Sequence, residues 1–142
     1  MTVLNSKVEE IIKEIKTDHS LDGVKFVKAY NGRIKEAPLG EILVTVGTGV
    51  ETVGTFAGGY LGNGSKGARV NSKIKMNVYC PCLNGGDGIT HTVNTLVDKI
   101  SSVDRENLVS DISVSEIKFS KEYDAVYRTV SFNLDYCRNK EE

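Results

Sequence analysis

Gly62-Asn63-Gly64-Ser65-Lys66-Gly67 matches G-x-G-x-x-G, a pattern whose backbone amides can cradle a pyrophosphate. The pattern works where a strand feeds a helix whose N-terminus faces the phosphates. Here the residues after Gly67 alternate like a strand, so no dinucleotide site is expected. Gly59 to Lys66 is one residue off a P-loop, and Gly67 stands where a magnesium-binding hydroxyl is needed. Cys80-Pro81-Cys82 could turn two thiols to one side, with His91 and Cys137 as further zinc ligands. That spacing is tighter than a structural zinc pair, and a redox pair has two intervening residues. Three cysteines are an odd set and read as thiols of a reducing compartment. His91 falls off the apolar stripe of its helix, His19 ends another, and no paired acidic motif or nucleophilic serine context accompanies either. No catalytic constellation forms. The expectation is a protein that is not an enzyme, with no cofactor and no metal.

Binding is the better expectation. Between Gly47 and Gly67 eight residues are glycine, none is proline, and the charges are Glu51 and Lys66. Connections this long inside a compact domain are usually functional or disordered. Phe56, Tyr60 and Leu61 sit among the glycines, as anchors that a free linker would not need. No acid occurs from Thr52 to Gly86, a stretch holding Lys66, Arg69, Lys73 and Lys75, whereas nine acids face six bases from Asp104 to Glu142. Opposite patches of this kind suit a head-to-tail contact between copies. The solvated-face reading stands beside it. Weak contact of the 66–75 segment with passing DNA is also open, although a nucleic-acid module normally adds more basic surface or interleaved aromatics.

A chain of 142 residues at 39% hydrophobic and 26% charged residues reads as one domain with a single core. A net charge of −1 argues against a general nucleic-acid or membrane binder. No apolar run approaches a membrane span, and Met1 to Lys16 does not read as a signal peptide.

The elements that would position these residues follow from periodicity. Ser6 and Glu9 fit a capping box, and Leu4, Val8, Ile11, Ile12 and Ile15 predict a helix over about 5–17. Val24 to Tyr30 and Leu39 to Val46 predict strands, followed by a glycine-rich arm at about 47–69. Val70, Ile74, Met76, Val78 and Cys80 alternate with polar residues, which predicts a strand over 70–80 that Pro81 closes. Asp87 is placed to cap a second helix over about 88–102, striped by Ile89, Val93, Leu96, Val97 and Ile100. Ile112 and Val114 share one parity, Ile117 and Phe119 the other, which predicts a bulge near Ser115-Glu116. Val126 to Tyr136 predicts a last strand, with Arg128 the exception on its apolar face, and residues 138–142 a frayed tail. The result is one two-layer α+β domain over 1–142: a mainly antiparallel sheet flanked by two helices, ordered α-β-β-(arm)-β-α-β-β.

This order resembles the tail terminator proteins of tailed phages and of phage-tail-like particles such as contractile R-type bacteriocins. The resemblance spans nearly the whole chain. It rests on the third strand KIKMNVYCPC, the helix ITHTVNTLVDKI, and the Tyr123-Asp124 turn before an alternating final strand. It implies a structural protein that assembles as a hexameric ring, capping the tail tube and stopping its polymerisation. It implies a tube protein as partner, with a sheath protein or head connector beyond, and a place in the bacterial cytoplasm during assembly and then in the particle. A tube protomer or head–tail completion protein is the nearest alternative, and a small zinc- or nucleotide-binding enzyme the more distant one. Contacts are expected from Phe56, Tyr60, Leu61, Lys66, Arg69, Lys73 and Lys75, with the basic segment meeting the acidic C-terminal region across the ring.

Overall fold

Strand β4 (Lys66–Pro81) organises the molecule, because every second residue from Ala68 to Cys80 is buried while the residues between them are polar or tyrosine up to Tyr79. The computed structural model describes residues 3–18, 21, 23–28, 41–54, 57–58, 66–82, 88–103 and 108–139. On one side β4 pairs antiparallel with β2 (Leu43–Val53), and on the other with β7 (Ala125–Asn139). β1 (Lys25–Lys28) lies parallel beside the first four residues of β2, and β5 (Val109–Val114) lies antiparallel beside β7. Two short strands extend these rows: β3 (Ala57–Gly58) pairs with β4, and β6 (Lys118–Ser120) with β7. The sheet order is β1-β2-β4-β7-β5, a mixed sheet with one parallel edge.

Helices α1 (Val3–Ile15) and α2 (Ile89–Val103) pack on one face of this sheet. Their stripes, Val8, Ile11, Ile12 and Ile15 in α1 and Ile89, Val93, Leu96 and Ile100 in α2, meet Val44, Val46, Ile74, Met76, Val78, Val130, Phe132 and Leu134. Burying a side chain of this size stabilises the fold by about 1.5–3 kcal/mol. An ion pair of Lys99 with Asp18, at 3.6 Å, ties α2 to the exit of α1. Among the described residues the fold is thus α+β, with a mixed sheet whose pairings are antiparallel except β1 with β2, and two helices.

Several boundaries differ from expectation. α1 starts at Val3, which puts Ser6 inside the helix and removes the capping box. The apolar period already includes Leu4, and the helix follows that period rather than the hydroxyl. α2 starts at Ile89, one residue after Gly88, whose φ of +90° suits glycine and whose carbonyl accepts from Thr92 at 2.9 Å. Asp87 lies outside the described residues. The largest shift is at the glycine-rich stretch. Residues 47–53 continue β2, paired with β4 apart from the slip at 49–50, and 66–69 open β4, paired with β3 and β7. β4 supplies a fixed template there, and pairing overrides the poor strand propensity of glycine. β7 likewise runs to Asn139, with Arg138 opposite Ala68; residues 140–142 lie outside the described part.

The predicted bulge is present. Val114 pairs with Val130 and Lys118 with Tyr127, so residues 115–117 contain one extra residue. Ser115 fills it, donating its amide to the Thr129 carbonyl at 2.9 Å and accepting the Thr129 amide on Oγ at 2.8 Å. A second bulge, between Ser110 and Ser113, contains Asp111 at φ +54°.

Candidate partner-binding surface

The odd-numbered residues of β4 line the sheet face that carries neither helix. Arg69, Asn71, Lys73, Lys75, Asn77 and Tyr79 follow one another along it, since alternate strand residues share a face. The row is held laterally by side-chain bonds. Asn71 Nδ2 donates to Asp135 Oδ1 at 2.7 Å, and Thr129 Oγ1 donates to Asn77 Oδ1 at 2.7 Å. Asn133 Nδ2 donates to Asp111 Oδ2 at 2.9 Å, and the Ser113 and Ser131 hydroxyls lie 3.2 Å apart. Asp135 and Asp111 therefore each accept from an asparagine.

Lys73 and Lys75 are placed differently. Directly opposite them stand Asn133 and Ser131 on β7, and Gly47 opposite Lys75 on β2. The β2 register slips between Thr48 and Glu51, which brings Gly49 against the lysine stems. A Cβ on Gly49 would sit 3.3 Å from Lys75 Cε and 3.6 Å from Lys73 Cβ. Glycine here clears space for two long side chains to lie along the sheet. Arg69 and Lys75 are exposed and Lys73 half-buried, while Lys66 opens β4 at its far end. Phe56, Tyr60 and Leu61 lie outside the described residues.

At the other end of the same face three tyrosines gather. The ring of Tyr79 lies 5.0 Å from that of Tyr123, edge to face, and 5.1 Å from that of Tyr127. Leu43, Ala125 and Val27 complete this small apolar cluster. Burial raises the Tyr79 phenol above its ordinary value against an opposing bond from Asn77, and burial with the Glu122 charge raises Tyr123. The Tyr123-Asp124 turn is built for this position: Asp124 has φ +49° and its carbonyl accepts the Cys82 amide at 3.0 Å. Sequence reasoning noticed the turn and missed the cluster, although Tyr79 and Tyr127 fall on the outward parity of their strands.

A second polar centre lies on the helix-side face, toward the glycine-rich end. Glu51 Oε1 accepts from Ser72 Oγ at 3.0 Å and from Tyr136 Oη at 2.7 Å. Ser72 is fully buried and Tyr136 nearly so. Burial, then the bond to Glu51, raises the Tyr136 phenol. No local pattern signals this centre, because Ser72 and Tyr136 lie 21 and 85 residues from Glu51.

The cysteines do not converge. Cys80 is buried opposite Val126, whereas Cys137 is exposed opposite Arg69, eleven residues further along β7 and about 35 Å away at strand rise. Among the described residues no three His, Cys, Asp or Glu side chains are grouped to hold a metal ion. His91 is exposed on α2, and His19 lies outside the described residues. The residues after the G-x-G-x-x-G pattern form strand β4 and not a helix. Asp135 of the acidic C-terminal region accepts a hydrogen bond from the neutral Asn71 within the same chain. Among the described residues no helix is long and apolar enough to cross a membrane. Neither a protein-family model nor a curated protein matches the sequence.

Proposed function

We propose that this chain is a structural ring component that caps the tail tube of a phage or phage-tail-like particle and stops its growth. One observation carries the reading: β2, β4 and β7 form a long ribbon with helices on one face, ending in a glycine-rich connection. β4 spans 16 residues, about 53 Å at strand rise, while α1 and α2 are 13 and 15 residues, about 20–22 Å each. The strands outrun the helices that cover them. A ribbon of this kind serves contacts along an extended surface better than it encloses a small substrate. Lys73 and Lys75, free of acidic cross-strand neighbours, face the tube or the next component, and residues 55–65 engage a neighbouring subunit. The ring forms in the host cytoplasm and remains in the particle.

Deleting residues 55–65 tests this. The expected result is loss of the terminal ring and tails of uncontrolled length in electron micrographs. Normal tails from the deleted chain would reject the role of that segment. A shaft built of many stacked copies would assign the chain as a tube protomer.

A further inference from the structure

Strand β2 has two unlike halves joined at a bulge. Leu43, Val44, Thr45 and Val46 are buried, and Val44 and Val46 belong to the helix–sheet core. Every residue from Thr48 to Gly54 is exposed, Val50 by 76% and Val53 by 43%. Between the halves Thr48 stands opposite Ile74 and Glu51 opposite Ser72, so Gly49 and Val50 together oppose the single residue Lys73. One extra residue on β2 interrupts the ladder there and reverses its parity. Val44, Val46 and Thr48 lie on the helix side before the bulge, Glu51 and Val53 after it.

We propose that residues 51–54 are a strap that opens from β4 as a unit, hinged at Gly49 and Val50 and latched shut by Glu51. The device goes beyond the ring reading and does not depend on it. None of the strap's side chains belongs to the core cluster around the helices. Among the described residues its only side-chain hydrogen bonds are the two that Glu51 Oε1 accepts, from Ser72 Oγ at 3.0 Å and from Tyr136 Oη at 2.7 Å. Its backbone is paired with β4 at Glu51, Thr52 and Val53, and the Gly54 amide donates to the Arg69 carbonyl at 2.9 Å. Few apolar contacts beyond an interrupted ladder mark a segment that opens well below the free energy of global unfolding.

The chemistry of the latch suits reversible opening. Ser72 is fully buried and Tyr136 nearly so, and their hydroxyls need an acceptor while the strap is closed. Glu51 supplies it from an exposed position, and water replaces both donors at the carboxylate when the strap lifts. An apolar residue at this place would hold the strap by burial and leave the hydroxyls without that acceptor. Opening uncovers the two hydroxyls and the Arg69 carbonyl, polar groups that the closed strap keeps engaged.

Amide hydrogen exchange in the full-length chain, resolved by residue with NMR, tests the strap. The Gly54 amide, and the Thr52 amide on the same side of the strand, should exchange at least about 100-fold faster than the β4-facing amides of residues 43–47, with a weaker dependence on urea. Glu51→Ala should speed their exchange by about 10- to 100-fold, the worth of hydrogen bonds to a charged acceptor. Glu51→Gln keeps an acceptor oxygen and should speed it less. Deleting Val50 removes the extra residue and leaves the register on both sides intact, so the strap should then exchange with the rest of β2. Thr52 and Gly54 exchanging together with residues 43–47 in the wild-type chain overturns the strap, a result that needs no variant to fold. Unchanged exchange in Glu51→Ala overturns the latch, and unchanged exchange after the deletion overturns the hinge. The ring reading is judged separately, by the terminal ring in micrographs.

Discussion

The two faces of β4 differ in what they are made of and in what they can lose. Its even-numbered residues, Ala68 through Cys80, are sealed from solvent, and those from Ile74 onward contact both helices' apolar stripes through a shared cluster. Its odd-numbered residues carry lysine, asparagine and arginine, joined sideways by single hydrogen bonds. A strand with period two can serve both ends at once, because neighbouring residues never share a face. One face supplies stability and, on the function proposed above, the other would supply recognition. Substitutions should separate along that line.

The largest effect is expected on the sealed face. Phe132→Ala and Met76→Ala remove fully buried side chains at the centre of the helix–sheet contact. Each should destabilise the chain by about 2–5 kcal/mol in urea denaturation, the range for truncations that leave a cavity. A loss below about 1 kcal/mol at both positions would mean that the two faces are not energetically distinct.

The sealed face was the legible part. Ile74, Met76 and Val78 announce it by alternation, and Val93, Leu96 and Ile100 announce the helix that covers it, because burial imposes a period on the sequence. The outer face was half legible. Lys73 and Lys75 were visible as a basic run, but their placement against Gly49 depends on a register slip in β2 that no local pattern records. The glycine-rich stretch looked like one long arm since glycine carries no period; its ends at 47–53 and 66–69 became strand through pairing with residues far away in sequence. Glu51, Ser72 and Tyr136 were invisible for the same reason. Long-range register brings them together, and none has a neighbour in sequence that hints at the others.

That polar centre gives an intermediate effect and sharpens the comparison, since there the sealed face is held by polar bonds. Tyr136→Phe should cost about 1–2 kcal/mol at neutral pH, leaving Ser72 as a donor to Glu51. The pH dependence has a definite sign. The folded Tyr136 phenol titrates above its ordinary value of 10.0, so its contribution is intact below pH 10 and declines as pH rises through the raised value. Wild-type stability should therefore fall above pH 10, and the variant should fall less steeply. Tyr79 and Tyr123 are raised in the same direction and supply the remaining slope. Equal slopes in the two proteins would show that Tyr136 is not held as its bond to Glu51 implies.

The smallest effect on stability is expected on the outer face, and there the smallness is informative. Lys73→Glu with Lys75→Glu reverses two charges whose direct cross-strand neighbours are Asn133, Ser131 and Gly47. Neither Asp111 nor Asp135 loses a partner, because each accepts from asparagine. The denaturation midpoint should move by no more than about 0.5 kcal/mol in equivalent free energy. Capture of the tube or formation of the terminal ring should nonetheless fail, since the reversal changes the local charge by four units where a partner is expected to dock. A stable variant that also assembles normally would leave the lysine row as a solvated face. A variant that unfolds would erase the division between the two sides of β4, because the charges would then be supporting the fold itself.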